Sequence, residues 1–337
     1  MFTIDGHSGG GQILRSALTL SLATGDPFRI HDIRASRRKP GLRRQHLTAV
    51  GAAVQVGGAE VIGAELNSSE ITFRPGAVKA GRYDFHISTA GSTTLVLQTV
   101  LPVLLTADRP SHVALRGGTH NPLCPPYDFL ERTFLPLVQR LGPQCSSSLQ
   151  RHGFFPAGGG AFTVDIEPVA KLAPLDLTQP VSVQQVRARV LVSRLPKGIG
   201  QRQQSLLERS LDIPREHVEL VHIEDCAGPG NMVLVDVLTD AGIAVFSSIG
   251  RRRLSSERVI EDVTAQVRRF VEGGVAVGLH LADQLLLPLA LGSGGTFRTL
   301  APVDDHTTSH ADLIQRWLSV PVRVEAESDT VARVTVG

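Results

Sequence analysis

The chain has 337 residues, of which 42% are hydrophobic, and its 34 basic and 32 acidic side chains give a formal net charge of +2. This length predicts a globular protein with two domains, and the small net charge is by itself no argument for nucleic-acid binding. The three cysteines, Cys124, Cys145 and Cys226, fit neither a disulfide framework nor a zinc site. The first residues lack a secretion signal and no apolar run reaches ~20 residues, so a cytoplasmic protein is expected.

Three stretches share one pattern: an apolar helix, a short break rich in Gly, Asp or Pro, and a strand. They are residues 13–34, 95–117 and 282–299. Each is followed by an amphipathic helix and two strands. These second halves are residues 41–73, 126–166 and 311–336. Self-similarity at this period predicts three βαβαββ-like units, near 1–80, 84–168 and 274–337.

Residues 182–275 depart from this pattern. Their predicted elements are a strand at 184–193, a helix at 201–211, a strand at 217–222, a strand pair at 232–238 and 243–248, and a helix at 255–271. This βαβββα order is thioredoxin-like, but Cys226 is the segment's only cysteine, which argues against a redox role. The sequence therefore predicts an α/β (α+β) fold with a large domain, 1–181 and 276–337, and a smaller inserted domain, 182–275.

Positive charge is concentrated between Asp32 and Glu60, where the chain has no acidic residue. The cations are Arg34, Arg37, Arg38, Lys39, Arg43 and Arg44, joined by His46. A solvated helix face normally alternates the signs of its charges, so this segment favours a phosphate-rich ligand. Aromatic residues form only 4% of the chain. That fraction argues against a stacking platform for long single strands and suits a short terminus held by its phosphates.

The run 151–160 (RHGFFPAGGG) places a proline and three glycines between apolar segments. Consecutive glycines are expected where φ is positive, where two backbones pack closely, or where amide groups face an anion. A tight turn between two strands would use the same residues. On spacing alone, that simple turn is the favoured interpretation.

Motifs along the whole chain resemble those of the RNA 3′-terminal phosphate cyclases, in their bacterial, catalytic branch. The run His152-Gly-x-x-Pro-x-Gly-Gly-Gly160 resembles that family's signature. The other motifs are Gly9-Gly10-Gly11-Gln12-Ile13-Leu14-Arg15, Arg37-x-Lys39-Pro40-Gly41-Leu42, Arg44-Gln45-His46-Leu47, Ala90-Gly91-Ser92-Thr93-Thr94-Leu95, Gly117-Gly118-Thr119, Gly228-Pro229-Gly230-Asn231 and Ala282-Asp283-Gln284. Three repeats with a thioredoxin-like insert are also the architecture of that family.

The resemblance implies a ligase-type enzyme that uses ATP to convert an RNA 3′-phosphate to a 2′,3′-cyclic phosphate. In that family a histidine takes AMP from ATP and passes it to the RNA phosphate, which thereby gains a leaving group. A neutral imidazole suits this role because it is nucleophilic at neutral pH. Two histidines precede the last helix, which the sequence predicts at 313–318. Alignment with the family assigns the nucleophile to His306, whereas His310 stands where Asn is expected.

The resemblance also implies the ligand contacts. The nucleotide-binding residues are Gln98, Pro125, His280, Asp283 and Gln284. Among them, His280 replaces an aromatic residue that faces adenine, and Asp283 is also implied to bind a divalent metal, Mg or Mn. The residues implied to bind phosphate or RNA are Arg15, Arg34, Arg37, Lys39 and Gln45. The expected partners are ATP and RNA with a 3′-phosphate end, and a homodimer is left open.

The chain departs from the family where Ser8 stands in place of a Glu that is a metal ligand, which implies a poorer metal site. Two alternative functions stay open. One is the family's non-catalytic branch, which acts in RNA processing and ribosome assembly. The other is an enolpyruvyl-transferase-like enzyme, on the basis of a similar repeat of small α/β units.

Overall fold

Three sheets of this protein share one strand order and one set of pairing directions. The computed structural model describes residues 1–7 and 10–337, and within them it has a mixed α/β fold with four four-stranded sheets. The first unit consists of β1 (Phe2–Asp5), α1 (Gly10–Thr24), β2 (Phe28–His31), α2 (Arg44–Gly57), β3 (Glu60–Ile62) and β4 (Ile71–Arg74). Its sheet order is β1-β2-β4-β3, in which only the first pair is parallel.

The second unit repeats this order as β5-β6-β8-β7, again with one parallel pair at the start. Its elements are β5 (Arg82–His86), α3 (Thr93–Leu104), β6 (Ser111–Gly117), α4 (Tyr127–Phe129), a π-helical turn (Leu130–Phe134), α5 (Leu135–Gln139), β7 (Gln144–Arg151) and β8 (Gly160–Glu167). The amphipathic helix predicted after residue 126 is thus a short helix that a π-helical turn interrupts.

The third sheet takes its first strand from before the inserted segment. That strand is β9 (Leu175–Leu177), which pairs in parallel with β14 (Gly295–Leu300). The unit's other elements are α8 (Leu279–Ala290), α9 (Asp305–Leu318), β15 (Val322–Ala326) and β16 (Val331–Val336). The sequence prediction started this copy at residue 274, which is wrong, because a strand of three residues is too short to show a recognisable alternation.

The fourth sheet is built from the segment proposed as an inserted domain, and its element order is the predicted βαβββα. The elements are β10 (Val183–Ser193), α6 (Lys197–Leu211), a 3₁₀ turn (Arg215–His217), β11 (Val218–His222), β12 (Gly230–Thr239), β13 (Gly242–Ile249) and α7 (Ser256–Gly273). One face, with Val190 and Val235, belongs to the segment's own core. The other face, with Leu191, Met232 and Leu234, belongs to the core of the repeated units. Both faces of this sheet are therefore buried.

Helix α1 lies at the centre of the molecule and contacts α2, α3 and α9. Its Leu14, Ala17 and Leu18 are completely buried, so the helix has no broad solvent face on which polar residues would be expected. The polar side chains that α1 carries are consequently directed at neighbouring helices. No helix in the described part of the chain is both long and apolar enough to cross a membrane.

The glycine run has two of the physical causes that the sequence suggested. Gly158 and Gly159 have φ of +69° and +72°, in the left-handed region that favours glycine. Gly153 and Gly160 have the second cause, because their backbones pack against each other. A Cβ on Gly153 would overlap the backbone N of Gly160 and lie 2.5 Å from the carbonyl O of Gly117.

Gly153→Ala is expected to lower the free energy of unfolding by about 3 kcal/mol or more, since the added methyl group overlaps main-chain atoms that have no rotamer to relieve it. Gly51→Ala is the control, because a Cβ at this site in α2 meets nothing within 4 Å. That change should stabilise the protein by up to about 1 kcal/mol. Urea denaturation measures both, and a Gly153→Ala protein as stable as wild type would contradict the close approach.

Candidate active site

A line of three polar side chains connects α9, α1 and α8. The Nδ1 atom of His306 lies 2.7 Å from Oε1 of Gln12, and Nε2 of Gln12 donates a hydrogen bond to Oδ2 of Asp283 at 2.7 Å. Because the Gln12 amide directs its nitrogen to the carboxylate, its oxygen accepts from His306 Nδ1–H. The Nε2 atom of His306 therefore keeps its lone pair, on a side chain that is exposed to solvent.

His306 lies in the first turn of α9, which begins at Asp305 and not at 313 as the sequence predicted. The reason is Asp304, whose carboxylate accepts hydrogen bonds from the backbone N–H and the hydroxyl of Thr307, at 2.9 and 2.8 Å. An Asp at this position stabilises the start of a helix. His306 and His310 consequently occupy neighbouring positions on one helix face.

His310 is buried and both of its ring nitrogens are occupied. Its Nδ1 donates to the backbone O of Asp283, and its Nε2 accepts from the Ser16 hydroxyl, both at 2.9 Å. Burial lowers the pKa of His310 to about 4, so the ring is neutral at neutral pH. Neither nitrogen is available for attack, which favours His306 over His310 as the nucleophile. His310 instead holds α8 against α1.

Asp283 is the acidic group of the site. Burial, and next the Asp304 carboxylate, raise the pKa of Asp283 to about 7, while Arg15 acts in the opposite direction. Burial in turn lowers the pKa of Arg15 to about 10. Two carboxylates whose charges repel each other are a suitable setting for a hard divalent cation. Asp283, with Asp304 acting on it through its charge, is therefore the carboxylate of this site that would hold the implied metal.

Two further points concern the metal. Within residues 1–7 and 10–337, the one group of three such side chains whose ligand atoms lie within 4.8 Å of one another is Asp5, His31 and Asp32, and it does not include Asp283. In that group His31 Nδ1 already pairs with the Asp32 carboxylate at 2.8 Å. Ser8, at which the sequence predicted a weakened metal site, lies outside the described residues.

Asp283→Asn is expected to make the protein more stable than wild type at pH 8, by about 1–3 kcal/mol, with a smaller difference near pH 4. An unfolded Asp ionises near 3.8, whereas the folded carboxyl has a pKa of about 7. Wild type therefore loses stability as the pH rises through this window, and Asn cannot ionise. Chemical denaturation of both proteins without ATP or metal measures the effect, and a difference that stays constant with pH would contradict the raised pKa.

Of the residues implied to bind the nucleotide, Gln98, Asp283 and Gln284 lie together, whereas His280 and Pro125 lie to the side. Gln98 Nε2 donates to Gln284 Oε1 at 2.5 Å, and Gln284 Nε2 donates to the backbone O of His280 at 2.5 Å. Gln98, Asp283 and Gln284 line one cavity together with Gln12 and Arg15. His280 instead borders a second, mainly apolar cavity. Pro125 lies near α3, where its carbonyl accepts from Thr94 Oγ1 at 2.8 Å.

The residues implied to bind phosphate differ in how much of each side chain already bonds within the protein. Arg34 has a φ of +57° and donates from Nη1 to the backbone O of Lys39 and of Gly41, both at 2.8 Å, so part of its guanidinium holds the loop in shape. Arg37 and Lys39 are exposed. Arg37 reaches the start of α1, where a Cβ on Gly10 would lie 3.1 Å from its Nη2.

The Gln45 side chain connects the first unit to the second, since its Oε1 accepts from the backbone N of Ser92 at 2.7 Å. His46, next to it, is a buried residue that the sequence analysis grouped with the cations of this segment. Burial, followed by the charges of Arg34, Arg15 and Arg43, lowers the pKa of His46 to about 3. Its Nδ1 accepts from the backbone N of Arg43 at 3.0 Å. The His46 ring is therefore neutral and adds no positive charge to the segment.

Sequence reasoning also missed the roles of Gln12, Ser16 and Asp304. Gln12 belongs to a motif that the sequence singled out, but its partner His306 is 294 positions away along the chain. Asp304 carries the one local signal that could have been used, an Asp three residues before Thr307 and just ahead of a helix. Ser16 offers no signal, because only the packing of α1 against α9 places it beside His310.

Comparison with known proteins agrees with the resemblance seen in the sequence. The family described as RNA 3′-terminal phosphate cyclase matches residues 7–324. An RNA 3′-terminal phosphate cyclase of Ectopseudomonas mendocina (strain ymp) is 45% identical over 331 residues, which cover 98% of this chain and 96% of the relative. One of Koribacter versatilis (strain Ellin345) is 44% identical over 338 residues, which cover 100% of this chain and 95% of the relative.

A third relative of the same name, from Pseudomonas fluorescens, is 46% identical over 323 residues, which cover 96% of this chain and 93% of the relative. Among solved structures, the enolpyruvyl transferase NikO from Streptomyces tendae covers 99% of this chain and 48% of its own, at 11% identity and a TM-score of 0.37. That likeness is too weak to carry an argument. On the family match and the three relatives, the chain belongs to the enzyme family of RNA 3′-terminal phosphate cyclases.

Proposed function

We propose that this protein uses ATP to convert an RNA 3′-terminal phosphate to a 2′,3′-cyclic phosphate through a covalent adduct of AMP on His306. The observation that carries this proposal is the line from His306 through Gln12 to Asp283. It fixes the imidazole with a proton on Nδ1 and a lone pair on Nε2, in an exposed position. A nucleophilic nitrogen needs such a partner on the other side of its ring.

In the first proposed step, Nε2 of His306 attacks the α-phosphorus of ATP and pyrophosphate leaves. The ring becomes positively charged as the N–P bond forms, and Gln12 Oε1 accepts from Nδ1–H, which stabilises this charge. An oxygen of the RNA 3′-phosphate then attacks the same phosphorus and His306 leaves, neutral again. Finally the 2′-hydroxyl oxygen attacks the RNA phosphorus, its proton is released, and AMP departs.

Charge neutralisation and positioning contribute most to phosphoryl transfer, so the cations have a defined role. We assign Arg15, Arg37 and Lys39 to direct contact with the phosphates. Arg34 and Gln45 would also contact the phosphates, and in addition they hold the phosphate-binding surface in shape. Gln98, Asp283 and Gln284 would contact AMP from α3 and α8, with Pro125 and His280 on the faces of adenine. Mg²⁺ or Mn²⁺, held by Asp283, would supply further positive charge.

The same geometry favours this proposal over the alternatives. A non-catalytic relative needs no nucleophile with an oriented ring, whereas here three helices cooperate to orient one. The enolpyruvyl-transferase alternative rests on a likeness of units and has no place for a covalent histidine. We propose the cytoplasm as the location, which the three free cysteines support.

The test is covalent AMP. The purified protein is incubated with ATP and Mg²⁺, and intact mass spectrometry should detect one AMP per chain that is stable to base and labile to acid, as expected of a phosphoramidate. Addition of RNA with a 3′-phosphate should then discharge the adduct and yield a cyclic end. A protein that binds such RNA but never forms the adduct would support the non-catalytic alternative.

A further inference from the structure

Phe155 is an exposed aromatic side chain in a protein that buries most of its aromatic rings. It is 54% accessible, whereas every other Phe, Tyr or Trp among residues 1–7 and 10–337 is buried or half-buried. The residue lies in the loop 153–159, within the glycine signature. Its backbone N donates to the carbonyl O of His120 at 3.4 Å. The ring is thus presented to solvent by a well-anchored loop.

Leu123 is a second exposed apolar side chain, on the loop that follows His120. Its side chain is wholly accessible, and its φ of +61° is unusual for a leucine. Both apolar side chains are therefore carried by loops that join at His120. Isolated exposed apolar residues are common, but two large ones on adjoining loops beside a candidate site suggest a ligand.

These two loops border the residues proposed to bind phosphate. On the loop of Leu123, the Asn121 amide donates to the backbone O of Ala90, and the carbonyl of Pro125 accepts from Thr94 Oγ1 at 2.8 Å. The backbone N of Ser92 donates to Gln45. On the other loop, Gly158 packs against Ala90, where a Cβ on Gly158 would lie 2.9 Å from the Ala90 Cα. A path of contacts thus leads from Gln45, one of the residues proposed to bind phosphate, to the loops of both apolar side chains.

We propose that Phe155 stacks on a base near the 3′ end of the RNA substrate, with Leu123 as the apolar wall beside it. This inference rests on the proposed function. An RNA whose terminal phosphate is held at Arg15 needs a place for its adjoining bases, and exposed bases at RNA ends are bound by stacking on aromatic rings. One ring suits one base and reads no sequence, because every base has a flat face.

ATP is the less suitable occupant. Of the residues proposed for AMP, Gln98 and Gln284 are joined by a hydrogen bond between α3 and α8. Pro125 lies on the loop of Leu123, so this loop borders the proposed adenine as well. Phe155 belongs to the other loop, beside Ala90, and a change at Phe155 should therefore affect RNA without affecting ATP.

The experiment measures RNA binding and AMP attachment separately. A short fluorescent RNA with a 3′-phosphate is titrated with wild type and with Phe155→Ala, Phe155→Leu and Phe155→Trp, and the binding is followed by anisotropy. Phe155→Ala should weaken binding about tenfold or more, Phe155→Leu nearly as much, and Phe155→Trp little. Val271→Ala, at a 42% accessible site on α7, is the control and should bind as wild type does.

Two further measurements complete the test. The rate of AMP attachment from ATP alone should be unchanged in Phe155→Ala, and an RNA with abasic positions at its 3′ end should bind wild type as weakly as Phe155→Ala binds the intact RNA. Equal RNA binding by Phe155→Ala and wild type, or full binding by Phe155→Leu, overturns the stacking proposal. Failure of wild type to form the AMP adduct overturns the proposed function instead, and the anisotropy result still decides on Phe155.

Discussion

His306→Ala is expected to abolish covalent attachment of AMP and, with it, cyclisation of RNA 3′-phosphate ends. No other imidazole among the described residues takes its place, because the nearest one on the helix, His310, has both nitrogens occupied by Asp283 and Ser16. The loss should exceed about 10⁴-fold, since a missing nucleophile removes the step itself. Intact mass after incubation with ATP and Mg²⁺ measures the adduct.

His310→Ala is the matched control for this variant. It removes two buried hydrogen bonds, so it should destabilise the protein by about 1–3 kcal/mol and slow attachment without abolishing it. His310→Asn should be milder, because an amide can still donate to the Asp283 carbonyl. Peptide mapping then decides between the two histidines. AMP on the His310 ring, or a fully active His306→Ala enzyme, would overturn the assignment.

Gln12→Ala is expected to slow AMP attachment by about 10²-fold or more while leaving the affinity for RNA close to that of wild type. Without its partner the His306 ring is free to rotate and to place its proton on Nε2, as happens when an orienting partner is lost from other catalytic histidines. Single-turnover rates of adduct formation measure this effect. The stability of the variant, measured in parallel, distinguishes it from misfolding. A Gln12→Ala enzyme with the wild-type rate would contradict the proposal that hydrogen bonds from His306 through Gln12 to Asp283 orient the imidazole.

Gln12→Glu provides a sharper version of the same test. The introduced carboxylate still accepts from His306, but it faces Asp283, whose pKa is already raised to about 7. Below that pH the two groups share a proton and the line stays intact. Above it both are ionised and repel each other. The rate of AMP attachment for this variant should therefore fall as the pH rises through neutrality. A pH–rate profile parallel to that of wild type would argue against direct contact between residue 12 and Asp283.

The sequence predicted the parts of the fold that have a strong local pattern. The helices and strands of the inserted segment and the repeat of units are of this kind, because apolar periodicity reports which faces are buried. Strand β9 and the start of α9 were missed for local reasons, a segment too short to alternate and an N-cap that was not recognised. The π-helical turn at Leu130–Phe134 has no sequence signal of its own.

The candidate site was only partly accessible to such reasoning. Residue types suited to phosphate and nucleotide were found through motifs, but motifs do not show which side chains meet. The dual role of Arg34, which supports its own loop, and the bridging role of Gln12 follow from packing between helices far apart in the chain. Burial also shifts the pKa of Asp283, and no sequence pattern reports burial of a single carboxyl group.

The position of β9 has a consequence for synthesis of the chain. A ribosome makes β9 early, but its partner β14 appears only after the whole inserted segment has been translated. The first two units can fold meanwhile, whereas the third sheet must wait, and α8 and α9 wait with it. These helices carry Asp283 and His306, so the reactive imidazole is oriented only in a finished molecule. If His306 is the nucleophile as proposed, we therefore expect no AMP adduct on a growing chain before its third unit is complete.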